Sequence, residues 1–216
     1  MNSEEKVFAH WYRRAVHAFS ATFLLYYLLP DVYWLTFIKR CVVVFLVVVF
    51  TVFEVMRIRK LVRNHKVFGL RDYEENRFGS YLYFGVGAAV LLLVFPQQIA
   101  VPSILCAAFV DPVVGELRVM VGEKKAYILG FLLSFFFFSF TWFMAPFPFL
   151  IVAPVLGALG AVVGEMKKFR WVDDDLLIQL IPATLLGVLY VLMVWYGVRF
   201  LPPEVIHPLP PPSWLV

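Results

Sequence analysis

The sequence predicts an all-α membrane protein in which about seven transmembrane helices form a single domain over residues 1–216. Hydrophobic residues make up 62% of the chain and charged residues 16%, and the mean hydropathy is +0.83. Several apolar stretches also reach the about 20 residues that a helix needs to cross a bilayer. We expect helices because backbone polar groups in lipid must be bonded internally. The short alternating strands of a membrane barrel are not seen in the sequence.

The apolar stretches define the predicted spans in chain order. They are residues 15–33, 36–56, 80–96, 99–117, 126–143, 148–164 and 176–200. The first span is expected to be retained, because the segment before it contains Glu4 and Glu5 and lacks the small-residue cleavage site of a signal peptide. In the sixth span, Gly157, Gly160 and Gly164 form a stripe of small residues. This stripe favours close packing against another helix.

The basic residues predict the orientation of the bundle, because Lys and Arg collect in cytoplasmic loops. Of the 19 basic residues, three precede or begin the first span, seven follow the second, three follow the fourth and three follow the sixth. With seven spans, all four segments lie on one face, and the opposite face keeps Lys39, Arg40 and Arg199. We therefore expect a cytoplasmic N-terminus and a C-terminus outside.

The acidic residues point to the same face. Glu54, Asp111 and Glu165 lie at the cytoplasmic ends of their predicted spans, and a run of aspartates at 173–175 directly precedes the last span. An ionisable side chain at the centre of a membrane helix costs about 2.5–3.5 kcal/mol, less near the interface, and is usually functional. The acids therefore predict a functional site at the cytoplasmic surface, where nucleotides are available.

The stretch VDPVVGELRVMVGEKK, residues 110–125, combines the groups that such a site needs. Asp111, Gly115 and Arg118 are spaced to share one face of a helix. A second glycine and two further cations follow them: Gly122, Lys124 and Lys125. An acid, two glycines and three cations at a membrane surface suit a metal-bound phosphate.

Asp111 with Asp173 and Asp174 forms the predicted metal site. Mg²⁺ takes oxygen ligands, usually one or two carboxylates with phosphate oxygens and waters. The structural alternative pairs Asp111 with Arg118 and makes the aspartate run a solvated helix start, which the helix dipole favours. For the run alone the structural alternative is the better one. For Asp111, embedded in an apolar stretch, a function is favoured.

Other polar residues are weaker candidates. Arg14 and His17 lie three residues apart on one helix face, which suits a phosphate anchor and a base. Taken alone, the pair favours the structural alternative of a snorkelling Arg and a His bonded to a neighbouring carbonyl. Glu74 and Glu165 are candidates for the same site. The structural alternative is a solvated loop acid for Glu74 and a surface pair with Lys168 for Glu165. Glu54 is slightly more consistent with a structural role, in which it pairs with Arg57 or Arg14, than with a role in the site.

The sequence lacks the motifs of several enzyme classes. It contains no phosphate-binding P-loop, no HExxH, no GxSxG and no protein-kinase motif set. Cys41 and Cys106 lie in apolar stretches and form neither a disulfide framework nor a metal-ligand pattern. Nucleic-acid binding is not indicated, because the basic residues follow the membrane topology.

Four stretches together resemble the dolichol kinase and phytol kinase family of integral membrane, CTP-dependent lipid kinases. They are, in chain order, RRAVHAFSA, YEENRFGSYLYF, FVDPVVGELRVMVGEKK and GAVVGEMKKFRWVDDDLLIQL. The resemblance covers about residues 13–180, and the order of the stretches is more specific than any one of them. In the last stretch Asp175, Leu177 and Gln179 depart from the family pattern, which has Asn, Thr and Pro there, whereas Asp173 and Asp174 match.

The resemblance implies phosphoryl transfer from CTP to a hydrophobic alcohol, with a polyprenol as the expected acceptor. By this resemblance Asp111, Asp173 and Asp174 hold Mg²⁺, and Glu165 or His17 accepts the proton of the alcohol. The remaining candidates would bind nucleotide and phosphate: Arg14, Glu74, Gly115, Arg118, Gly122, Lys124 and Lys125. The chain would then be one transmembrane catalytic domain, with a lipid alcohol, a nucleoside triphosphate and membrane lipids as partners.

Two alternatives stay open on the sequence. A cytidylyltransferase of the CDP-lipid synthase kind would use the same nucleotide, metal and surface, but a lipid phosphate as acceptor. A transporter or membrane scaffold ranks lower, because the third and fifth spans have no charged residues away from their ends. Phytol, geranylgeraniol and diacylglycerol also remain open as acceptors, and so does oligomerisation.

Overall fold

The computed structural model describes residues 3–62, 74, 76–166 and 172–212. Within these residues the structure is helical and contains no strand. The α-helices are α1 Ser3–Phe19, α2 Leu25–Leu28, α3 Tyr33–Ile58, α4 Ser80–Val94, α5 Gln97–Leu105, α6 Asp111–Val121, α7 Glu123–Trp142, α8 Phe149–Met166 and α9 Asp174–Trp195. Part of the basic loop 57–79 and the cations Lys167, Lys168 and Arg170 lie outside the described residues.

Two of the predicted spans are continuous helical rods with an irregular turn inside them. A 3₁₀ segment, Ser20–Leu24, joins α1 to α2, and a π-helical segment, Cys106–Val110, joins α5 to α6. Pro112 follows the π segment at the start of α6. Proline has no N–H to donate, and its ring clashes with the carbonyl four residues earlier. A wider turn before Pro112 relieves that clash and turns Asp111 into the bundle.

Four helices in the described chain are long and apolar enough to cross a membrane: α3, α7, α8 and α9. Helix α4 is apolar but has only 15 residues. These helices agree with an all-α membrane protein. The count of seven spans stays a prediction, because the two interrupted rods and α4 do not meet the same length criterion.

Helices α7, α8 and α9 form the centre of the bundle. A side chain at Gly160 would lie 2.7 Å from Pro182 Cα, and one at Gly164 would lie 2.6 Å from the Leu177 carbonyl. Gly157 lies against the ring of Phe138 in the same way. The small-residue stripe therefore lets α8 approach α7 and α9 closely, as the sequence predicts.

Helix α3 lies at the edge of the bundle and packs mainly against α4. Its buried residues are Glu54 and Arg57, and most of its apolar side chains are exposed. In a bilayer this surface faces lipid, which explains how so apolar a helix remains largely uncovered by protein.

Candidate active site

Three carboxylates from three helices converge at one end of the bundle. Asp111 begins α6, Glu165 lies at the end of α8, and Asp174 begins α9. One ligand atom from each lies within 4.8 Å of the others. The close approach of α8 to α9 at Gly164 brings Glu165 beside Asp174, and the π segment sets the position of Asp111.

A second group shares Asp111 with the first. His17 Nδ1 lies 3.6 Å from Asp111 Oδ2, and His17 Nε2 lies 3.6 Å from Asp175 Oδ1. His17 Nδ1 is also 3.4 Å from the carbonyl of Ala107 in the π segment. The imidazole is buried and its ring meets Phe84 edge-on, with 5.5 Å between the ring centroids. The ring is therefore held between two carboxylates.

These residues fit a divalent cation. Glu165 and Asp175 are each 2% exposed. Among the described residues, Glu165 Oε2 and Asp175 Oδ2 have no hydrogen-bond partner. An unsatisfied buried polar group costs about 1–3 kcal/mol, more if it is charged, and neighbouring carboxylates repel each other. A hard cation such as Mg²⁺ takes carboxylate oxygens as ligands, so a cation held by Asp111, Glu165 and Asp174 would satisfy Glu165 Oε2 and neutralise the repulsion among these three acids.

Asp173 has a structural contact at this site. It is the N-cap of α9, and its Oδ1 accepts a hydrogen bond of 3.2 Å from the backbone N–H of Asp175. Burial raises the pKa of the Asp173 carboxyl to about 7, and neighbouring Asp174 adds to this rise. Asp173 is thus adjacent to the convergent carboxylates, while Asp174 extends into them.

Among the described residues, Arg118 forms an ion pair with one of the convergent carboxylates. Its Nη2 donates a short hydrogen bond to Glu165 Oε1, and it lies 3.4 Å from the Glu165 carbonyl. The guanidinium also lies over the ring of Tyr127, 4.9 Å from its centroid. The structural alternative predicted a pair between Asp111 and Arg118. In the structure Arg118 instead pairs with Glu165, because α6 directs its side chain toward the end of α8.

Arg14 lies at the edge of the site, facing α6. Its Nη1 contacts Glu116 Oε1, and His10 Nε2 lies 2.8 Å from the same oxygen. A side chain at Gly115 would come within 3.9 Å of Arg14 Nη2. The Gly115 side of α6 therefore lies next to the Arg14 guanidinium, where an anionic group could approach both Arg14 and the backbone of α6.

The remaining predicted phosphate ligands lie further along the chain. Gly122 has φ +86° and joins α6 to α7, a conformation that favours glycine. Lys124 and Lys125 are exposed on the first turn of α7. Within the described part of the chain, no hydrogen bond or ion pair joins either lysine to the carboxylates.

The structure does not bring Glu74 into the carboxylate site. Its Oε1 accepts a hydrogen bond of 3.1 Å from the backbone N–H of Ser80, at the start of α4. Glu54 accepts from the backbone N–H of Gly79 at 2.7 Å and from Arg57 Nε at 2.7 Å. The two acids therefore cap α4, and the predicted pairing of Glu54 with Arg57 is confirmed.

Two residues in the site were not singled out from the sequence. The sequence places Asp175 within the aspartate run at 173–175 and outside the family pattern, without a role of its own, and it does not single out Glu116. Asp175 stands one residue after a predicted ligand, and Glu116 stands between Gly115 and Arg118 at helical spacing. Which of several neighbouring acids points inward depends on the rotation of the helix. Spacing along the chain therefore predicts that these acids lie near the site, but not which of them enters it.

Comparisons with known proteins give one informative similarity. No protein-family model and no solved structure matches the sequence. The chain is similar to the CTP-dependent diacylglycerol kinase 1 of Schizosaccharomyces pombe, with 24% identity over 140 residues that cover 54% of this chain and 63% of the relative. The chain thus spans less than two thirds of the relative's length. The similarity is to a CTP-dependent lipid kinase, and the resemblance to dolichol and phytol kinases in particular stays a prediction.

Proposed function

We propose that this chain is a CTP-dependent lipid kinase that transfers the γ-phosphate of CTP to a lipid hydroxyl at the cytoplasmic membrane surface. The observation that carries the proposal is the convergence of Asp111, Glu165 and Asp174 on a site that also contains His17 and Arg118. The named activity of the similar Schizosaccharomyces pombe protein supports both the nucleotide and the lipid acceptor.

Asp111, Glu165 and Asp174 would hold Mg²⁺, with Asp173 next to them. When bound, the metal neutralises charge on the phosphate oxygens, which is the main requirement of phosphoryl transfer besides positioning. Glu165 was predicted as a catalytic residue. Its burial among carboxylates and its bond to Arg118 support a role in holding the metal.

Arg14 and Arg118 would bind the phosphate chain from two sides of α6. Gly115 leaves room for a phosphate oxygen to approach this helix. Gly122 places the first turn of α7, with Lys124 and Lys125, beside the end of α6. The two lysines would then contribute long-range attraction for the triphosphate from an exposed position.

His17 would accept the proton of the acceptor hydroxyl. The hydroxyl oxygen attacks the γ-phosphorus, its O–H proton passes to a nitrogen of His17, and the bond from the γ-phosphorus to the bridging oxygen breaks to release CDP. Asp175 and Asp111 on either side of the ring stabilise the imidazolium that forms. General bases placed in this way typically contribute about 10²–10⁴ in rate.

Two acceptor classes follow from different observations. The sequence resemblance favours a polyprenol, and the similar Schizosaccharomyces pombe protein is named for diacylglycerol. A polyprenol and a diacylglycerol each carry a free hydroxyl group on a molecule with long hydrocarbon chains. We propose the polyprenol as the acceptor and keep diacylglycerol as the second candidate.

The test is product analysis with the purified protein in mixed micelles containing Mg²⁺. γ-Labelled CTP or ATP would be supplied with a polyprenol, phytol, geranylgeraniol or diacylglycerol. We expect label in a lipid phosphate with CTP and not with ATP. Label from α-labelled CTP entering a lipid-phosphate acceptor would instead establish the cytidylyltransferase, and no nucleotide binding at all would favour the transporter or scaffold.

A further inference from the structure

An apolar cavity adjoins the candidate site on the side of α1, α3 and α4. Its volume is about 340 Å³, which lies within the range of about 300–1,000 Å³ for small-molecule sites. Apolar side chains provide most of its walls, among them Val16, Phe23, Leu46 and Leu92. Helix α3, which packs mainly against α4, forms its outer wall.

Several polar groups of this cavity lie near the start of α4, and His17 and Ser20 add further polar groups along the first rod. Arg13, Glu74 and Ser80 line it near the start of α4, and Arg13 Nη2 donates a 3.2 Å hydrogen bond to Ser80 Oγ. Along α4 the lining continues to Leu92, which is about 18 Å from Ser80 at the rise of an α-helix. The cavity therefore matches an amphiphile with one polar end and a hydrocarbon tail.

His17 connects the cavity to the carboxylates. It belongs to the cavity lining, and its two ring nitrogens each lie 3.6 Å from an aspartate of the site. A hydroxyl at the polar end of the cavity would thus meet the proposed base directly.

The outer wall of the cavity is open to lipid. Phe19 is 72% exposed, and Phe23, Leu46 and Phe50 on the facing surfaces of the first rod and α3 are also exposed. In a bilayer these side chains contact hydrocarbon. A lipid can therefore reach the cavity sideways from the membrane, without leaving the apolar phase.

We propose that this cavity binds one hydrocarbon chain of the acceptor lipid and presents the hydroxyl of that lipid to His17. The assignment rests on the proposed function, because it takes the lipid to be a phosphate acceptor. The chemistry it recognises is a hydroxyl at the end of a long apolar chain, which polyprenols share with diacylglycerol.

The first test fills the cavity at Gly85. Gly85 is part of the cavity lining, and a Cβ at this position would meet no atom within 4 Å, so a larger side chain there would extend into the cavity. For Gly85→Leu we expect the KM for a long-chain acceptor to rise about tenfold or more, since overpacking a filled site weakens binding. The KM for CTP should not change.

Val94→Leu is the matched control. Val94 also lies on α4, is 71% exposed and is not part of the lining. This variant should keep the KM of the unmodified protein for the acceptor. Because both variants are assayed for phosphoryl transfer, a chain that phosphorylates no lipid at all contradicts the proposed function. A Gly85→Leu variant with an unchanged acceptor KM overturns only the cavity assignment.

The second test works on the unmodified protein and does not depend on turnover. A farnesol and a diacylglycerol, each carrying a photoreactive diazirine in the chain, would be crosslinked in micelles and mapped by mass spectrometry. We expect label on the cavity-lining segments of α1, α3 and α4, and its loss when excess unlabelled acceptor is added. Equal labelling by a diazirine phosphatidylcholine would show a non-selective lipid groove and overturn the assignment.

Discussion

Asp111 belongs to two of the groups of ligand atoms at the candidate site. It lies with Glu165 and Asp174 on one side and with His17 and Asp175 on the other. One carboxylate therefore faces both the proposed metal and the proposed base. This double contact gives a role to the acid at the start of α6, where the preceding residues of the rod are mostly buried and apolar.

Replacing Asp111 tests the metal assignment. We expect Asp111→Asn to lower phosphoryl transfer at least about 100-fold, because a neutral amide neither neutralises the metal nor replaces a carboxylate ligand. The measurement is lipid phosphorylation at saturating Mg²⁺, with circular dichroism in detergent to show that the variant is folded. Asp31→Asn, at an exposed acid bonded to Thr36, serves as control, and activity of Asp111→Asn close to that of this control would remove the assignment.

Replacing His17 tests the proton acceptor. We expect His17→Gln to lower kcat by about 10²–10⁴ while leaving the affinity for CTP unchanged. The exposed His207 in the C-terminal segment supplies the control His207→Gln. A structural role for His17 predicts the opposite result, with a lower unfolding temperature and an unchanged kcat.

At the scale of the helices, the site depends on the distance between α8 and α9. Because Gly160 and Gly164 have no side chain, the backbone of α9 lies in the space that their side chains would otherwise need. Glu165 follows Gly164 directly, and Asp174 lies one turn before the facing residues Leu177 and Ile178. The helix contact and the carboxylate pair are therefore set by the same few residues.

Enlarging Gly164 should separate the two helices. A Cβ there would lie 2.6 Å from the carbonyl of Leu177, and backbone atoms cannot rotate away as a side chain can. We expect Gly164→Ala to lower the free energy of unfolding by about 1–3 kcal/mol and to reduce activity. Thermal unfolding in detergent measures the first effect. Gly85→Ala, whose Cβ meets nothing within 4 Å, should leave the unfolding temperature unchanged or raise it, and equal stability of the two variants would contradict the explanation.

At the scale of the whole molecule, the two ends of the bundle differ in chemistry. The carboxylates lie at the start of α9, and the C-terminal segment packs about 32 Å away, given the length of this helix. Gln97 bonds to the backbone of Val205 and Ile206, and Leu209 N–H bonds to the carbonyl of Leu28. The polar, acidic end and the end that carries the tail are thus opposite.

This asymmetry gives a prediction for membrane topology. We expect the N-terminus to face the cytoplasm and the C-terminus to lie outside, because the basic segments of the sequence fall on one face if all seven rods of the described helices cross the bilayer. Protease protection of short terminal tags in sealed vesicles measures this. The two tags should show opposite accessibility, and protection of both or of neither would contradict an odd number of crossings.

The sequence by itself determined the class of the protein and the end of the bundle at which the polar groups collect. Apolar length and the placement of charge are local properties, so they can be predicted without packing. Asp111 and Glu165 are predicted from the cost of ionisable groups near membrane helices, whereas Arg118 and His17 are predicted from their spacing to Asp111 and Arg14 along one helix face.

The tertiary structure decided which of these residues meet. It pairs Arg118 with Glu165, turns Asp175 toward His17, makes Asp173 a helix cap and places Glu74 at the start of α4. These contacts join residues from different helices or depend on the rotation of one helix by a single residue. Helix rotation and crossing are set by packing at glycines and by the turn before Pro112, which is why spacing along the chain could not predict them.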